Sequence, residues 1–184
     1  KSCAQAIRSE VAQEIVDIKS RDPSFKPCLA IVQVSDRQDS STYVRMKCKA
    51  AAEADIKTEF VHLNEDVSEA QVLEKVSELN EDPSIHGVLV QLPLPAHINE
   101  DKVTSSVLAR KDVDGFGPFN VGELNKRSGK PFFYPCTPLG IIELLKRYEI
   151  TISGTKSVVI GRSDIVGSPV AELLKSLDST VTVA

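Results

Sequence analysis

Tyr43 and Lys47 stand four residues apart in the stretch Ser40-Ser41-Thr42-Tyr43-Val44-Arg45-Met46-Lys47. On a helix that spacing puts both side chains on one face, one above the other. A phenol beside an amine can handle protons wherever burial brings an amine near neutrality. The same residue types also serve without chemistry: a helical Tyr packs, and a helical Lys lays its stem on the surface with its charge in water. The octapeptide by itself leaves both readings open.

Three further stretches carry groups suited to a ligand. Gly161-Arg162-Ser163-Asp164-Ile165-Val166-Gly167 follows an apolar run and precedes a helical pattern. That context lets backbone N–H groups and a helix N-terminus meet a phosphate. The dinucleotide fingerprint is G-x-G-x-x-G, whereas here Ser163 stands at the second Gly and Gly161 to Gly167 is one residue too long. An ordinary tight turn is the competing reading, and the strand-turn-helix context favours nucleotide binding. Gln91 falls at the C-terminal end of a predicted parallel strand, where open α/β sheets place ligands, and it could face Lys47 across a cleft. Asp112 and Asp114 flank Val113 in Lys111-Asp112-Val113-Asp114-Gly115. Asp114 before Gly115 suits a turn, or offers an acceptor to a ligand's N–H donors. Cys136 is either a small buried hydrophobe or a pocket wall, with no base beside it to make it a nucleophile.

The elements that must position these groups read as an α/β alternation. Ile7, Val11, Ile15 and Ile18 recur at helical spacing. Leu29 to Val34 is a nearly continuous apolar run, as expected of a strand buried on both faces. A polar loop follows, with Asp39 or Ser40 capping the Tyr43 helix, which runs to about Asp55. Thr58 to Leu63 is a second strand. Ser68 and Gln71 form a capping box before Val72, Val76 and Leu79. Gly87 to Leu92 is a third strand, closed by Pro93-Leu94-Pro95, and Asn99 caps a helix through Leu108. Lys111 to Pro135 reads mainly as loop. Thr137 as N-cap with Pro138 at the first helical position opens the next helix. A strand over Ser157–Ile160, a helix to about Leu177 and a strand over Thr180–Val183 complete the chain. The expected fold class is α/β, with parallel sheets and helices on their faces, and a domain boundary near residue 138: 1–138, then 139–184.

Bulk properties exclude several classes. Of 184 residues, 41% are hydrophobic and 26% charged, as in ordinary globular proteins. A net charge of −4 without a basic block argues against a nucleic-acid partner. No apolar run approaches the roughly 20 residues that span a bilayer, so no membrane partner is expected. Cys3, Cys28, Cys48 and Cys136 are far apart, and His62, His86 and His97 do not pair at ligand spacing. That spacing favours neither a zinc site nor a disulfide framework, and a reducing compartment is the simplest reading. The start at Lys1, without Met, reads as trimmed.

Taken together, Tyr43-Val44-Arg45-Met46-Lys47, Val90-Gln91-Leu92-Pro93-Leu94-Pro95, Lys111-Asp112-Val113-Asp114-Gly115, Pro135-Cys136-Thr137-Pro138 and Gly161-Arg162-Ser163 resemble, in order and spacing, one family. It is the bifunctional methylenetetrahydrofolate dehydrogenase/methenyltetrahydrofolate cyclohydrolase family, in the form that opens fungal trifunctional C1-tetrahydrofolate synthases. The resemblance covers essentially the whole chain. It implies two α/β domains with parallel sheets flanking a folate cleft: a folate-binding catalytic domain over 1–138 and the start of a Rossmann-like NAD(P) domain over 139–184. It implies oxidation of 5,10-methylenetetrahydrofolate with NADP (NAD being possible), then hydrolysis of the methenyl product to 10-formyltetrahydrofolate. By the family pattern Lys47 transfers the proton in the hydrolase step, Tyr43 positions the folate, Gln91 hydrogen-bonds Lys47, and Asp114 holds the pterin ring. Leu92, Pro93 and Cys136 join the substrate site, and Gly161, Arg162, Ser163, Val166 and Gly167 the cofactor phosphate site. A homodimer through the nucleotide domain, a fused formyltetrahydrofolate synthetase domain and a cytoplasmic location, with the mitochondrion left open, are also implied.

The methenyl intermediate is cationic. A charged lysine beside it would be repelled, whereas a neutral amine could take a proton from the attacking water. The resemblance departs in one respect: the family continues for roughly another hundred residues, as a nucleotide domain of normal size requires. These include a Gly-Gly-Val-Gly-Pro stretch near the folate. The group that reads the ribose 2′ position would fall near residue 184, so that rule does not separate NADP from NAD. Short-chain dehydrogenases also use Tyr-x-x-x-Lys, but after a complete nucleotide fold; here it precedes the only Gly-rich turn, which excludes them. A catalytically silent folate-binding or scaffolding domain is the non-enzyme alternative, and loss of Lys47, Gln91 or Asp114 would mark it. All three are present.

Overall fold

The computed structural model describes residues 2–184. The chain folds as two compact units, one ending at Lys111 and the other spanning Asp112–Ala184. The division therefore falls well before the expected boundary at 138. The reason is local. Asp112 binds the backbone of Gly115 and Gly117, Gly115 lies against Phe133 and Pro135, and Leu124 packs with Ile142, Val170, Leu173 and Leu174, so the 112–135 segment is anchored within the second unit.

The first unit opens with α1 (Cys3–Arg21), capped by Ser2 in a capping box with Gln5. Strand β1 (Cys28–Val34) leads to α2 (Gln38–Glu53), β2 (Lys57–Leu63), α3 (Glu69–Glu81), β3 (Gly87–Val90) and α4 (Glu100–Ser106). The sheet has the order β2-β1-β3 and both pairings are parallel. As the central strand, β1 is buried on both faces, which is why its sequence is nearly all apolar. Ala30, Val32 and Val34 pack with Val72, Val76 and Leu79 of α3 and with Val103 of α4. Full burial of valines such as Val72 and Val76 stabilises the fold by about 1.5–3 kcal/mol each. The Ser68–Gln71 capping box and the Asn99 cap form as expected.

Helix α2 starts earlier than the expected Asp39 or Ser40 cap. Its N-cap is Arg37, without a side-chain cap. Asp39 lies in the first turn, where its carboxylate pairs with Arg37 and accepts the Ser40 N–H at 2.8 Å. These bonds hold the carboxyl down at about pKa 2. Strand β3 ends at Val90 rather than Leu92, and the Leu92–Pro93 peptide that follows is cis.

The second unit contains α5 (Pro118–Leu124), α6 (Cys136–Arg147), β4 (Lys156–Val159), α7 (Gly167–Ser176) and β5 (Thr180–Val183), with β4 and β5 parallel. Leu124, Ile142, Val170, Leu173 and Leu174 form its core. The 111–135 stretch is mainly loop, as expected, interrupted by the seven-residue α5, whose start Pro118 marks. Helix α6 begins at Cys136 with Pro135 as N-cap, slightly ahead of the expected Thr137–Pro138 start.

Candidate active site

In the first unit, Tyr43 and Lys47 occupy successive turns of α2, flanking the buried Val44 that seats the helix. Tyr43 is 62% exposed and Lys47 is half-buried. Lys47 Nζ donates to Gln91 Oε1 at 3.0 Å, although the two are 44 residues apart. Gln91 is aimed by its own surroundings. Its N–H donates to Val32 O at 2.8 Å as a continuation of the ladder, and Nε2 donates to Leu92 O at 2.7 Å. Since Leu92 O can only accept, the amide nitrogen must face it, and the oxygen is left for the amine. Leu92 and Pro93 follow directly, with Pro93 exposed.

Gln33 was hidden in the apolar run and lies 2% exposed beneath the start of α2. Its Nε2 donates to Ser35 O and to Ser41 Oγ, each at 2.9 Å, which ties β1 to the first turn of the helix carrying Tyr43 and Lys47. Ser35, in the turn between them, has φ +75°. Lys111 is a second residue that sequence reasoning missed. It is buried, and its Nζ donates to the carbonyls of Leu79, Asn80 and Asp82 at 2.7–3.0 Å, capping the C-terminal end of α3. Burial, with Arg110 nearby, lowers its pKa from the usual lysine value.

In the second unit Asp114 is half-buried between Asp112, which is 4% exposed, and Gly115 at φ +67°. Cys136 lies at the first position of α6, exposed, with its thiol 3.5 Å from Val113 O. The Gly161–Gly167 turn has a defined shape. Gly161 takes φ +118°, and a Cβ on Gly167 would lie 2.3 Å from Gly161 O, so the helix start lies directly against the turn. Only glycine permits that approach. Ser163 bridges the turn: its hydroxyl accepts the Gly167 N–H at 3.3 Å and its carbonyl accepts the Ser168 N–H at 3.0 Å. Arg162 and Ser163 are exposed, and Val166 is the N-cap of α7. The structure thus brings Lys47 and Gln91 together in the first unit, and places Asp114, Cys136 and the glycine turn in the second.

A parallel α/β unit with an amine–amide pair at its strand ends is followed along the chain by a strand-glycine turn-helix unit, the arrangement of a two-domain α/β protein. Residues 1–114 match the family described as tetrahydrofolate dehydrogenase/cyclohydrolase, catalytic domain, and residues 135–184 match its NAD(P)-binding domain. The chain belongs to the tetrahydrofolate dehydrogenase/cyclohydrolase family. It is 65% identical over 183 residues to the cytoplasmic C-1-tetrahydrofolate synthase of Saccharomyces cerevisiae, covering 100% of this chain and 19% of that protein. The bifunctional FolD enzyme of Campylobacter jejuni superposes with a TM-score of 0.94 at 44% identity, over 98% of this chain and 63% of the other. The Trypanosoma brucei enzyme, solved with NADP cofactor and inhibitor, gives a TM-score of 0.94 at 40% identity, over 98% and 61%. This chain therefore spans about a fifth of the yeast relative and under two thirds of the solved ones.

Proposed function

We propose that this chain carries the folate chemistry of its family: NADP-dependent oxidation of 5,10-methylenetetrahydrofolate to the methenyl compound, and hydrolysis of that to 10-formyltetrahydrofolate. The observation that carries the reading is the 3.0 Å bond from Lys47 Nζ to Gln91 Oε1. An amine that donates one N–H to a fixed amide oxygen has its remaining positions directed elsewhere. In the neutral state its lone pair can take the proton of a water attacking the methenyl carbon. Gln91 is a neutral acceptor that orients the amine.

Tyr43, one turn earlier and exposed, presents its ring and hydroxyl to the folate. Asp114 accepts N–H donors of the pterin, with Leu92, Pro93 and Cys136 as further substrate contacts. The Gly161–Gly167 turn fits a dinucleotide phosphate: residues 161–165 are exposed, nothing lies within 4 Å of a Cβ position on Gly161, and the Arg162 guanidinium can pair with the anion. NADP, when bound, supplies the hydride acceptor; the chain's own groups hold and orient the folate and move the proton. The NADP in the T. brucei structure supports NADP over NAD. A fused synthetase domain and a cytoplasmic location agree with the yeast relative's length and name. A homodimer through the nucleotide unit completes the proposal.

The test is the decay of methenyltetrahydrofolate absorbance, without nucleotide, for the chain, for Lys47→Ala and for a blank. Decay above blank that vanishes in Lys47→Ala is the expected result. Decay equal to the blank from a folded chain would overturn hydrolase activity and leave a silent folate-binding domain.

A further inference from the structure

Beside Asp114 lies a buried polar network for which the proposed chemistry has no use. Asp112 and Asn120 are 4% and 1% exposed. Asp112 Oδ1 accepts the Gly115 N–H at 3.1 Å, and Oδ2 accepts the Gly117 N–H at 2.8 Å and Asn120 Nδ2 at 2.9 Å. Asn120 Oδ1 accepts the Phe132 N–H at 2.9 Å. The orientation of the Asn120 amide is thereby fixed, since a carboxylate only accepts and a backbone N–H only donates. The chain from 112 to 117 is wound around one carboxylate, which a buried charge requires in order to be tolerated. A Cβ on Gly117 would lie 3.0 Å from Asp112 Oδ2, and one on Gly115 would lie 2.8 Å from Phe133 O. The arc has little freedom, and Asp114 sits on it, next to Gly115.

We propose that Asp112 and Asn120 are positioning residues, whose hydrogen-bonded arc fixes the direction in which Asp114 presents its carboxylate to the folate. This rests on the reading of Asp114 as a folate-binding residue. The choice of Asp over Asn at 112 follows from the donors. Four N–H groups, those of Gly115, Phe116, Gly117 and the Asn120 amide, converge on two oxygens, and an amide would turn one of those oxygens into a donor facing another donor, with no change in size.

The experiment is calorimetric titration of the full chain with 5-formyltetrahydrofolate, a stable folate. Stoichiometry counts the folded fraction and Kd reports the geometry of the site. Asp112→Asn is expected to raise Kd about tenfold at near-normal stoichiometry. Asp114→Asn raises it too, and adding Asp112→Asn to Asp114→Asn weakens binding no further, because both act through one carboxylate. If Asp112→Asn does not fold, Asn120→Asp decides. It sets a carboxylate against Asp112, and such a pair shares a proton as pH falls. Its Kd relative to wild type should therefore recover between pH 8 and pH 6. A normal Kd with lowered stoichiometry, additive losses in the double variant, or a pH-independent ratio in Asn120→Asp would overturn the positioning role. An unchanged Kd in Asp114→Asn would instead overturn the reading of Asp114 itself.

Discussion

Lys47 and Lys111 mark two regions in which one side-chain type is used in opposite ways. The Lys111 ammonium has three donors, and three backbone carbonyls of the α3 end accept them, so its hydrogen-bonding capacity is full. Lys47 is half-buried and donates once, to the side chain of Gln91. Saturation by backbone makes the first charge a piece of architecture. A single bond to a neutral amide orients the second without filling its hydrogen-bonding capacity. Residue type and local pattern do not distinguish the two lysines; the number of fixed partners does.

The contrast can be broken most directly at Lys47. Lys47→Ala should lower the methenyl hydrolysis rate roughly 10²–10⁴-fold, the range for loss of a proton-transfer group. Its urea midpoint should stay near wild type. A midpoint shift as large as that of a Lys111 variant would show that Lys47 is architectural after all. Lys111→Met should do the reverse. Three buried carbonyls lose their donor, at a cost of about 2–4 kcal/mol in stability by urea unfolding, with the rate per folded molecule retained. A rate loss at unchanged stability would count against the division. Gln91→Ala removes the orienting amide but not the amine, and a drop of about 10–100-fold is expected, smaller than that of Lys47→Ala. An equal drop would make Gln91 a direct participant in proton transfer.

The smallest effect is expected at Asp39, whose exposed carboxyl is held down at about pKa 2 from 3.8 by Arg37 and the Ser40 N–H. A carboxyl depressed in the folded state contributes stability that is present above its unfolded value and lost as pH falls toward about 2. Asp39→Asn should therefore flatten that acid limb slightly, measured by thermal unfolding between pH 4 and pH 2. Neutral-pH hydrolysis should be unchanged.

Much of this was legible in the chain because the signals are short in range. The Leu29–Val34 run, the Ser68–Gln71 capping box, the Asn99 cap and the four-residue spacing of Tyr43 and Lys47 each state their structure within one or two turns. Where the reading went astray, the deciding partner lay elsewhere. Asp39 looked like a cap, but Arg37 holds it. Helix α5 is too short to show a helical period; Asn120, which reaches Asp112 and Phe132, and Leu124 in the core anchor it.

By itself the sequence determined the α/β alternation, the shared helix face of Tyr43 and Lys47, and a glycine turn placed between strand and helix. Periodicity, capping and backbone sterics act locally and leave a visible mark. Only the tertiary structure decided which of two lysines is saturated and that Gln33 ties α2 to β1. It also decided that Gln91 meets Lys47 at 3.0 Å across 44 residues. Each of those facts depends on where a hydrogen-bond partner from a distant segment comes to rest, and side-chain spacing along a chain carries no record of that.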